Sequence, residues 1–103
     1  MIKVSVFYPN KEGARFDMGY YLQKHMPMVR QKMGAAVKSM GVEQGLAGGT
    51  PGAPITYRVI AHMTFDSMEA FQSAFGPQAE SIMADVPNYT DLQPIVQISE
   101  VKL

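Results

Sequence analysis

Hydrophobic and polar residues alternate in three stretches of the chain. The alternation has a period of two over residues 2–8, 55–65 and 95–103. This period is typical of strands that bury one face. A fourth, irregular strand is predicted over 35–47, where two glycines interrupt the apolar positions. The pattern therefore predicts four strands.

Apolar residues at helical spacing follow the first strand. The first helix is predicted to begin at Phe16. We expect Pro27 to kink or end it near His25, because proline lacks a backbone donor and restricts the residue before it. A further turn is predicted over 28–33, with Gly34 as its stop.

A second helix follows the third predicted strand. Asp66 or Ser67 is predicted to cap it, and Gly76-Pro77 should interrupt it before Val86. The order βα-ββ-αβ predicts an α+β protein with a ferredoxin-like βαββαβ sandwich, in which two helices cover one face of a four-stranded antiparallel sheet. No repeat or long linker divides the sequence, so residues 1–103 are predicted to form a single domain.

The uncovered face of this predicted sheet is amphipathic. If Val4 and Val59 face the helices, then Phe7, Ile60 and His62 lie on the other side. Leaving Phe7 and Ile60 in water forgoes about 1.5–3 kcal/mol each, and a contiguous apolar patch usually marks an interface. We therefore expect a homodimer with sheets face to face. The alternative is a monomer whose open sheet is mildly apolar.

Composition narrows the range of functions. Nine basic and nine acidic side chains cancel, which argues against a nucleic-acid partner. Without cysteine the chain forms neither disulfides nor thiolate metal sites, and no apolar run reaches the roughly 20 residues that span a membrane. Neither a metal nor another cofactor is expected, and a cytoplasmic location is the simplest interpretation. The nine methionines either fill the core or line a loosely shaped apolar pocket.

His25 and Tyr21 are the strongest candidates for chemistry. They lie one helical turn apart, so a proton-transfer group and a hydrogen-bonding phenol would share one site. Alternatively, the His25 imidazole caps the carbonyls at the end of the helix. Tyr20 differs from Tyr21 by about 100° around the helix and should pack, against the core or the ligand. His62 is the second histidine candidate, with Arg58 and Thr64 as its expected partners.

Three segments resemble the EthD family, which is named for a protein of ether-degradation gene clusters. They are residues 16–29, which contain an aromatic and an acidic residue, a Tyr pair and then His-x-Pro, followed by 63–71 and 85–91. The resemblance spans nearly the whole chain and implies a dimeric α/β barrel. An aromatic residue commonly occupies the position of Tyr89 in this family, which implies a hydrophobic plug at the mouth of a ligand pocket.

The resemblance implies a role in oxidative catabolism without fixing the reaction, because related barrels host several chemistries. We predict a small enzyme or accessory protein that acts on a small apolar or aromatic molecule. Its reaction would be that of a cofactor-independent, monooxygenase-like oxidoreductase or of a cyclase or isomerase. His25 would transfer a proton and Tyr21 would donate a hydrogen bond. The alternatives are a non-catalytic carrier of such a molecule and a structural dimer partner.

Overall fold

Four strands form in the four predicted regions. The computed structural model describes residues 1–103, and its strands are β1 (Ile2–Pro9), β2 (Ser39–Gln44), β3 (Tyr57–Phe65) and β4 (Ile95–Glu100). They form one sheet in the order β2-β3-β1-β4, and every neighbouring pair is antiparallel. The two long central strands, β1 and β3, therefore carry most of the sheet.

Two helical segments cover one face of this sheet. The first consists of α1 (Met18–Tyr20), a π-helical turn (Tyr21–His25) and α2 (Met26–Met33), and a 3₁₀ turn (Gly34–Ala36) follows it. The second consists of α3 (Met68–Phe75), a 3₁₀ turn (Gly76–Gln78) and α4 (Ala79–Ala84), and a 3₁₀ turn (Val86–Asn88) follows. The predicted α+β ferredoxin-like fold is confirmed. No helix has the length and hydrophobicity needed to cross a membrane.

Pro27 does not end the first helix, contrary to one form of the prediction. The helix runs on as α2 to Met33, and the irregularity is the π turn immediately before the proline. Met26 N–H bonds to the carbonyl of Tyr21, five residues back. Because Pro27 has no N–H, an α-helix would have left the carbonyl of Gln23 without its donor in any case. The wider turn accommodates this missing bond.

The ends of several elements differ from the predicted ones. The first helix begins at Met18, because Phe16 forms a β-bridge with Thr90 instead. Strand β2 is shorter than predicted, because its first residues belong to the 3₁₀ turn. Residues 101–103 lie outside β4, although Val101 N–H still donates to the carbonyl of Met1.

The register of the sheet separates its two faces as predicted, with one exception. Val4 pairs with Met63, and both pack in the core beneath the helices, whereas Phe7 pairs with Ile60 on the other face. The exception is Tyr57. The alternation would place it on the same face as Val59, but a register shift at the end of β1 puts it on the opposite face. Its ring lies against Phe7, with 4.8 Å between centroids.

The core between sheet and helices has two parts. One part is aliphatic and phenylalanine-rich, and its buried residues are Val4, Val29, Met33, Met63, Phe65, Phe71 and Ile82. The other contains most of the buried tyrosine, and its members are Tyr8, Tyr21, Val59, Ala61, Tyr89 and Leu92. Polar atoms inside the protein are thus concentrated at one end of the core.

Candidate functional site

A cavity of about 450 Å³ lies between the sheet and the helices. Its apolar walls come from both layers and include Val4, Val6, Ala61, Met63, Phe71 and Ile82. The lining residues with polar side chains are Tyr8, Tyr21, His25 and Tyr89, and no Lys, Arg, Asp or Glu lines the cavity. Three exposed lining residues, Met83, Val96 and Ile98, mark its open side between α4 and β4. A small, uncharged molecule suits such a cavity.

The π turn brings Tyr21 and His25 together in the cavity wall. Their rings stack, with 5.4 Å between centroids and 14° between planes. The Tyr89 ring also packs against the imidazole, at 4.6 Å between centroids. His25 is only 4% exposed. Helical π turns are frequent at functional sites, and this one fixes the orientation of a buried imidazole.

Asp85 binds the far side of the His25 ring. Its Oδ2 lies 2.9 Å from His25 Nδ1, and its Oδ1 accepts from the Tyr20 hydroxyl at 2.6 Å and from Asn88 Nδ2 at 2.8 Å. Burial alone would raise the pKa of Asp85, but the hydrogen bonds from Tyr20, Asn88 and His25 hold it below its usual range. Asp85 is therefore an ionised acceptor at neutral pH.

The protonation of His25 follows from this partner. Burial lowers the pKa of His25, and Asp85 opposes that shift only in part. The ring is therefore neutral near pH 7 and donates its Nδ1 proton to the carboxylate, which leaves a lone pair on Nε2. Because Nδ1 is occupied, Nε2 is the nitrogen available to the cavity. The ring bonds a carboxylate and no helix carbonyl, so the geometry does not support the capping alternative.

Tyr8, Tyr21 and Tyr89 form a phenol cluster beside His25. The hydroxyls of Tyr8 and Tyr89 lie 2.7 Å apart, and the Tyr8 ring meets that of Tyr21 edge to face at 5.7 Å. Burial raises the pKa of all three hydroxyls. The phenol cluster consists of neutral hydrogen-bond donors at any physiological pH.

The segment that carries Asp85 and Tyr89 is held against the start of the first helix. Asp17 N–H donates to the carbonyl of Tyr89 at 2.7 Å, and Thr90 Oγ1 donates to the carbonyl of Arg15 at 2.6 Å. The Arg15 guanidinium donates to the carbonyl of Pro87, also at 2.6 Å. These bonds fix the carboxylate relative to the imidazole although the two residues are far apart in sequence.

Two of the predicted site residues lie outside the cavity lining. Tyr20 stands behind the imidazole, where its hydroxyl bonds Asp85 and its ring stacks on Tyr89 at 6.4 Å. His62 lies on the other face of the sheet, where its Nε2 is 2.7 Å from Glu43 Oε2 and its Nδ1 is buried without a partner. A Cβ at position 41 would collide with its ring, so Gly41 is needed there.

The prediction that Arg58 or Thr64 would bond His62 was wrong. Arg58 donates to the carbonyls of Ala14 and Lys11 at one end of the sheet. Thr64 shares a hydrogen bond with Ser39. Glu43 was not anticipated because it comes from the neighbouring strand, and the register of β2 against β3 could not be predicted from the sequence.

Two residues of the site were missed in the sequence, Asp85 and Tyr8. Asp85 opens the third segment of the family resemblance, so a signal existed, but its role depends on a contact across 60 residues. Tyr8 follows Val4 and Val6 in the buried alternation of β1 and gives no sign of chemistry. No group of three or more His, Asp or Glu side chains is arranged to hold a metal ion.

Comparison with known proteins gives the family. A family model described as EthD domain matches residues 14–93. The crystal structure of an EthD-like protein from Ralstonia eutropha JMP134 is 46% identical in sequence, with a TM-score of 0.93 over 99% of this chain and 92% of that chain. No curated protein matches the chain.

More distant structures share the fold. An EthD family protein from Bacillus halodurans C-125 is 19% identical, with a TM-score of 0.68 over 99% of both chains. A dimeric protein of unknown function and ferredoxin-like fold from Bacteroides fragilis is 12% identical, with a TM-score of 0.55 over 97% of this chain and 95% of that chain. The family match covers most of the chain and confirms the resemblance, so this protein belongs to the EthD family.

Proposed function

We propose that this protein is a small enzyme that moves a proton on an uncharged apolar or aromatic molecule bound in the cavity. The observation that carries the proposal is the His25–Asp85 pair, in which Nδ1 is bonded to a carboxylate and the ring lines an apolar cavity. A neutral imidazole held in this way is a general base. His25 is its proton-transfer group, and the phenol cluster, Tyr21 included, supplies the hydrogen-bond donor.

The lining of the cavity supports an uncharged substrate. No cationic side chain lines it, so the carboxylate or phosphate of a charged substrate would be buried without a counter-charge. A phenol or an enolisable ketone is uncharged until its proton leaves. Its oxygen then carries negative charge and gains from hydroxyl donors.

Proton removal fits the reactions expected from the family. Loss of a proton from a phenol or ketone gives an electron-rich anion, which is the first intermediate of cofactor-independent oxidation and also of isomerisation or cyclisation. The oxidoreductase assignment and the cytoplasmic location remain part of this proposal. They rest on the family resemblance and on the composition.

Hydrogen exchange at an enolisable carbon tests the enzyme proposal. The probe is 2-tetralone in D₂O, and ¹H NMR follows the loss of its α-hydrogen signals. We expect the protein to accelerate the exchange and His25→Gln to abolish the acceleration. Lys24→Gln changes an exposed neighbour in the same π turn and should leave the rate unaltered. Equal rates for His25→Gln and the unmodified protein would contradict the proposal.

A carrier function is the second candidate, and the predominance of apolar side chains in the cavity lining favours it. A carrier requires binding without chemistry. Tight binding of 2-tetralone combined with an exchange rate no faster than that in buffer would therefore support the carrier and exclude the enzyme for this probe.

We also propose that the protein is a homodimer with its open sheet face as the interface. Phe7, Tyr57 and Ile60 form the apolar part of that face, and the similar Bacteroides fragilis protein is described as dimeric. Light scattering should give twice the chain mass of 11.3 kDa. Ile60→Asp should yield monomers, since it buries an unpaired charge at the interface. A monomeric unmodified protein would exclude the homodimer.

A further inference from the structure

The hydrogen bond between Tyr8 and Tyr89 leaves one hydroxyl hydrogen unused. Two hydroxyls 2.7 Å apart share one hydrogen bond, in which one donates and the other accepts. The accepting hydroxyl keeps its own hydrogen. Both residues line the cavity and both side chains are buried, so an acceptor for this hydrogen has to come from within the cavity. A buried donor requires an acceptor, and a bound molecule can supply one.

We propose that Tyr8 is the catalytic donor that binds the oxygen of the substrate, and that Tyr89 is a positioning residue that donates to Tyr8. The substrate class that follows is phenols and enolisable ketones, whose oxygen becomes negative when a proton leaves. This inference rests on the proposed function, because it assigns a role within the same cavity. It differs from the sequence-based expectation, which gave the donor role to Tyr21.

The surroundings of the two hydroxyls decide which of them is the terminal donor. Tyr89 is enclosed by four aromatic rings, those of Phe16, Tyr20, Tyr21 and His25. Burial raises the pKa of Tyr8, so its hydroxyl keeps its hydrogen. With Tyr89 enclosed in this way, its hydroxyl is assigned as the donor in the 2.7 Å bond, which leaves the hydrogen of Tyr8 for the cavity.

Tyr8 is also well placed to act as a fixed donor. It lies on β1, which is hydrogen-bonded on one side to β3 and on the other to β4. Tyr89 is fixed by the bond between its carbonyl and Asp17 N–H. A donor on a central strand moves little when charge develops, and a preorganised donor of this kind contributes most to stabilising an oxyanion.

The proposed step needs no external oxidant or reductant. His25 Nε2 takes a proton from the carbon next to the ketone carbonyl. The electron pair of that C–H bond becomes the new C=C bond, and the π pair of the carbonyl moves to its oxygen, which accepts the Tyr8 hydrogen bond. Return of a proton from Nε2 to carbon restores the ketone. A phenol loses its O–H proton to Nε2 in the same way and stays as a phenolate.

Two probes of similar shape test the assignment. 4-Nitrophenol carries the oxygen, and 4-nitrotoluene replaces its hydroxyl with a methyl group. Affinities are measured by calorimetry at a pH below the pKa of free 4-nitrophenol, where the phenolate absorbance also reports proton transfer in the complex. We expect the unmodified protein to bind 4-nitrophenol at least about tenfold more tightly than 4-nitrotoluene, since hydrogen bonds to charged groups have this strength.

The variants separate the two tyrosines. Tyr8→Phe should lose that tenfold preference while its affinity for 4-nitrotoluene stays within about twofold, because the ring is kept. Tyr89→Phe should lose only part of the preference, since Tyr8 still donates. A larger loss in Tyr89→Phe than in Tyr8→Phe would overturn the assignment.

Measurements on the unmodified protein keep the test decisive even if Tyr8→Phe does not fold. Equal affinities for the two probes would overturn the donor role of Tyr8 and leave the cavity proposal standing. Binding of neither probe would count against the cavity as an aromatic-binding site, and therefore against the proposed function itself.

Discussion

The two histidines lie on opposite faces of one sheet, and each is bonded to a carboxylate. His25 uses Nδ1 and lies 2.9 Å from Asp85, whereas His62 uses Nε2 and lies 2.7 Å from Glu43. The side chain of His25 is 6% exposed and that of His62 is 28% exposed. A histidine–carboxylate pair therefore exists in a buried and in a partly exposed form within one chain.

This difference shows why the His25–Asp85 pair, and not the His62–Glu43 pair, is the candidate site. The carboxylate of Asp85 is itself bonded by Tyr20 and Asn88, and the imidazole it holds lines an apolar cavity. Glu43 is 57% exposed and has no second partner among the hydrogen bonds of the structure, and its histidine lies on an open face. Burial, a supported carboxylate and a neighbouring cavity distinguish the first pair.

The largest expected effect is on proton transfer. His25→Gln should slow α-hydrogen exchange of 2-tetralone by about a hundredfold or more, the usual contribution of a general base. His62→Gln should change it by less than about twofold, because that ring lies on the other side of the sheet. NMR measurement of both variants decides the comparison, and equal losses would remove the distinction between the two faces.

The next effect is on stability. Asp85→Ala leaves the Nδ1 donor of His25 and the Tyr20 hydroxyl without their acceptor, which should lower the free energy of unfolding by about 1–3 kcal/mol. Glu43→Ala is the matched control and should cost less than about 1 kcal/mol, as exposed pairs do. Urea unfolding measures both. A greater loss in Glu43→Ala would mean that the open-face pair matters more for the fold.

The pH dependence of both stability and exchange activity should follow the protonation of His25. Its pKa in the folded protein is lowered from 6.5 by burial, so the unfolded chain binds its proton first as the pH falls. The stability that His25 contributes is therefore complete above 6.5 and is lost as the pH falls from there through the lower folded pKa. Exchange activity needs the neutral ring and should decline with a midpoint below 6.5. A midpoint above that value would contradict the burial argument.

The smallest expected effect concerns the contact between Gly41 and His62. Gly41→Ala forces the partly exposed imidazole of His62 to move, which should lower stability by about 1 kcal/mol, the low end of the cost of overpacking. In a His62→Ala background the same substitution should cost clearly less, because the colliding ring is gone. Unfolding measurements on the four proteins give the coupling. Additive losses would show that the ring does not rest on Gly41.

The sequence predicted most of the fold because its signals are local. Period-two alternation located the strands, and the spacing of Tyr21 and His25 placed both side chains on one stripe of a helix. Predictions from local sequence were incomplete at two places, the helix around Pro27 and the start of β3. Pro27 was expected to kink or end the helix, and the structure has a π turn before it and a helix that continues; a register shift moved Tyr57 to the face of Phe7.

The site was predicted only in part, because half of it depends on distant contacts. Asp85 meets His25 across 60 residues, and Tyr89 meets Tyr8 across 81. Neither contact produces a periodic pattern in the sequence, because both depend on how the segment after α4 packs against the first helix and β1. The candidate base was visible from its residue type, whereas the carboxylate and the phenol that complete it were not.

The central claim is that His25 is a neutral, Asp85-bonded base whose Nε2 is open to the cavity. ¹⁵N NMR of the imidazole nitrogens tests it most directly, since the chain has only two histidines and His62→Gln assigns the signals. Near neutral pH we expect His25 to carry its proton on Nδ1 and to become doubly protonated when 4-nitrophenol binds. A proton on Nε2 in the free protein, or an imidazole that does not change on binding, would contradict the claim.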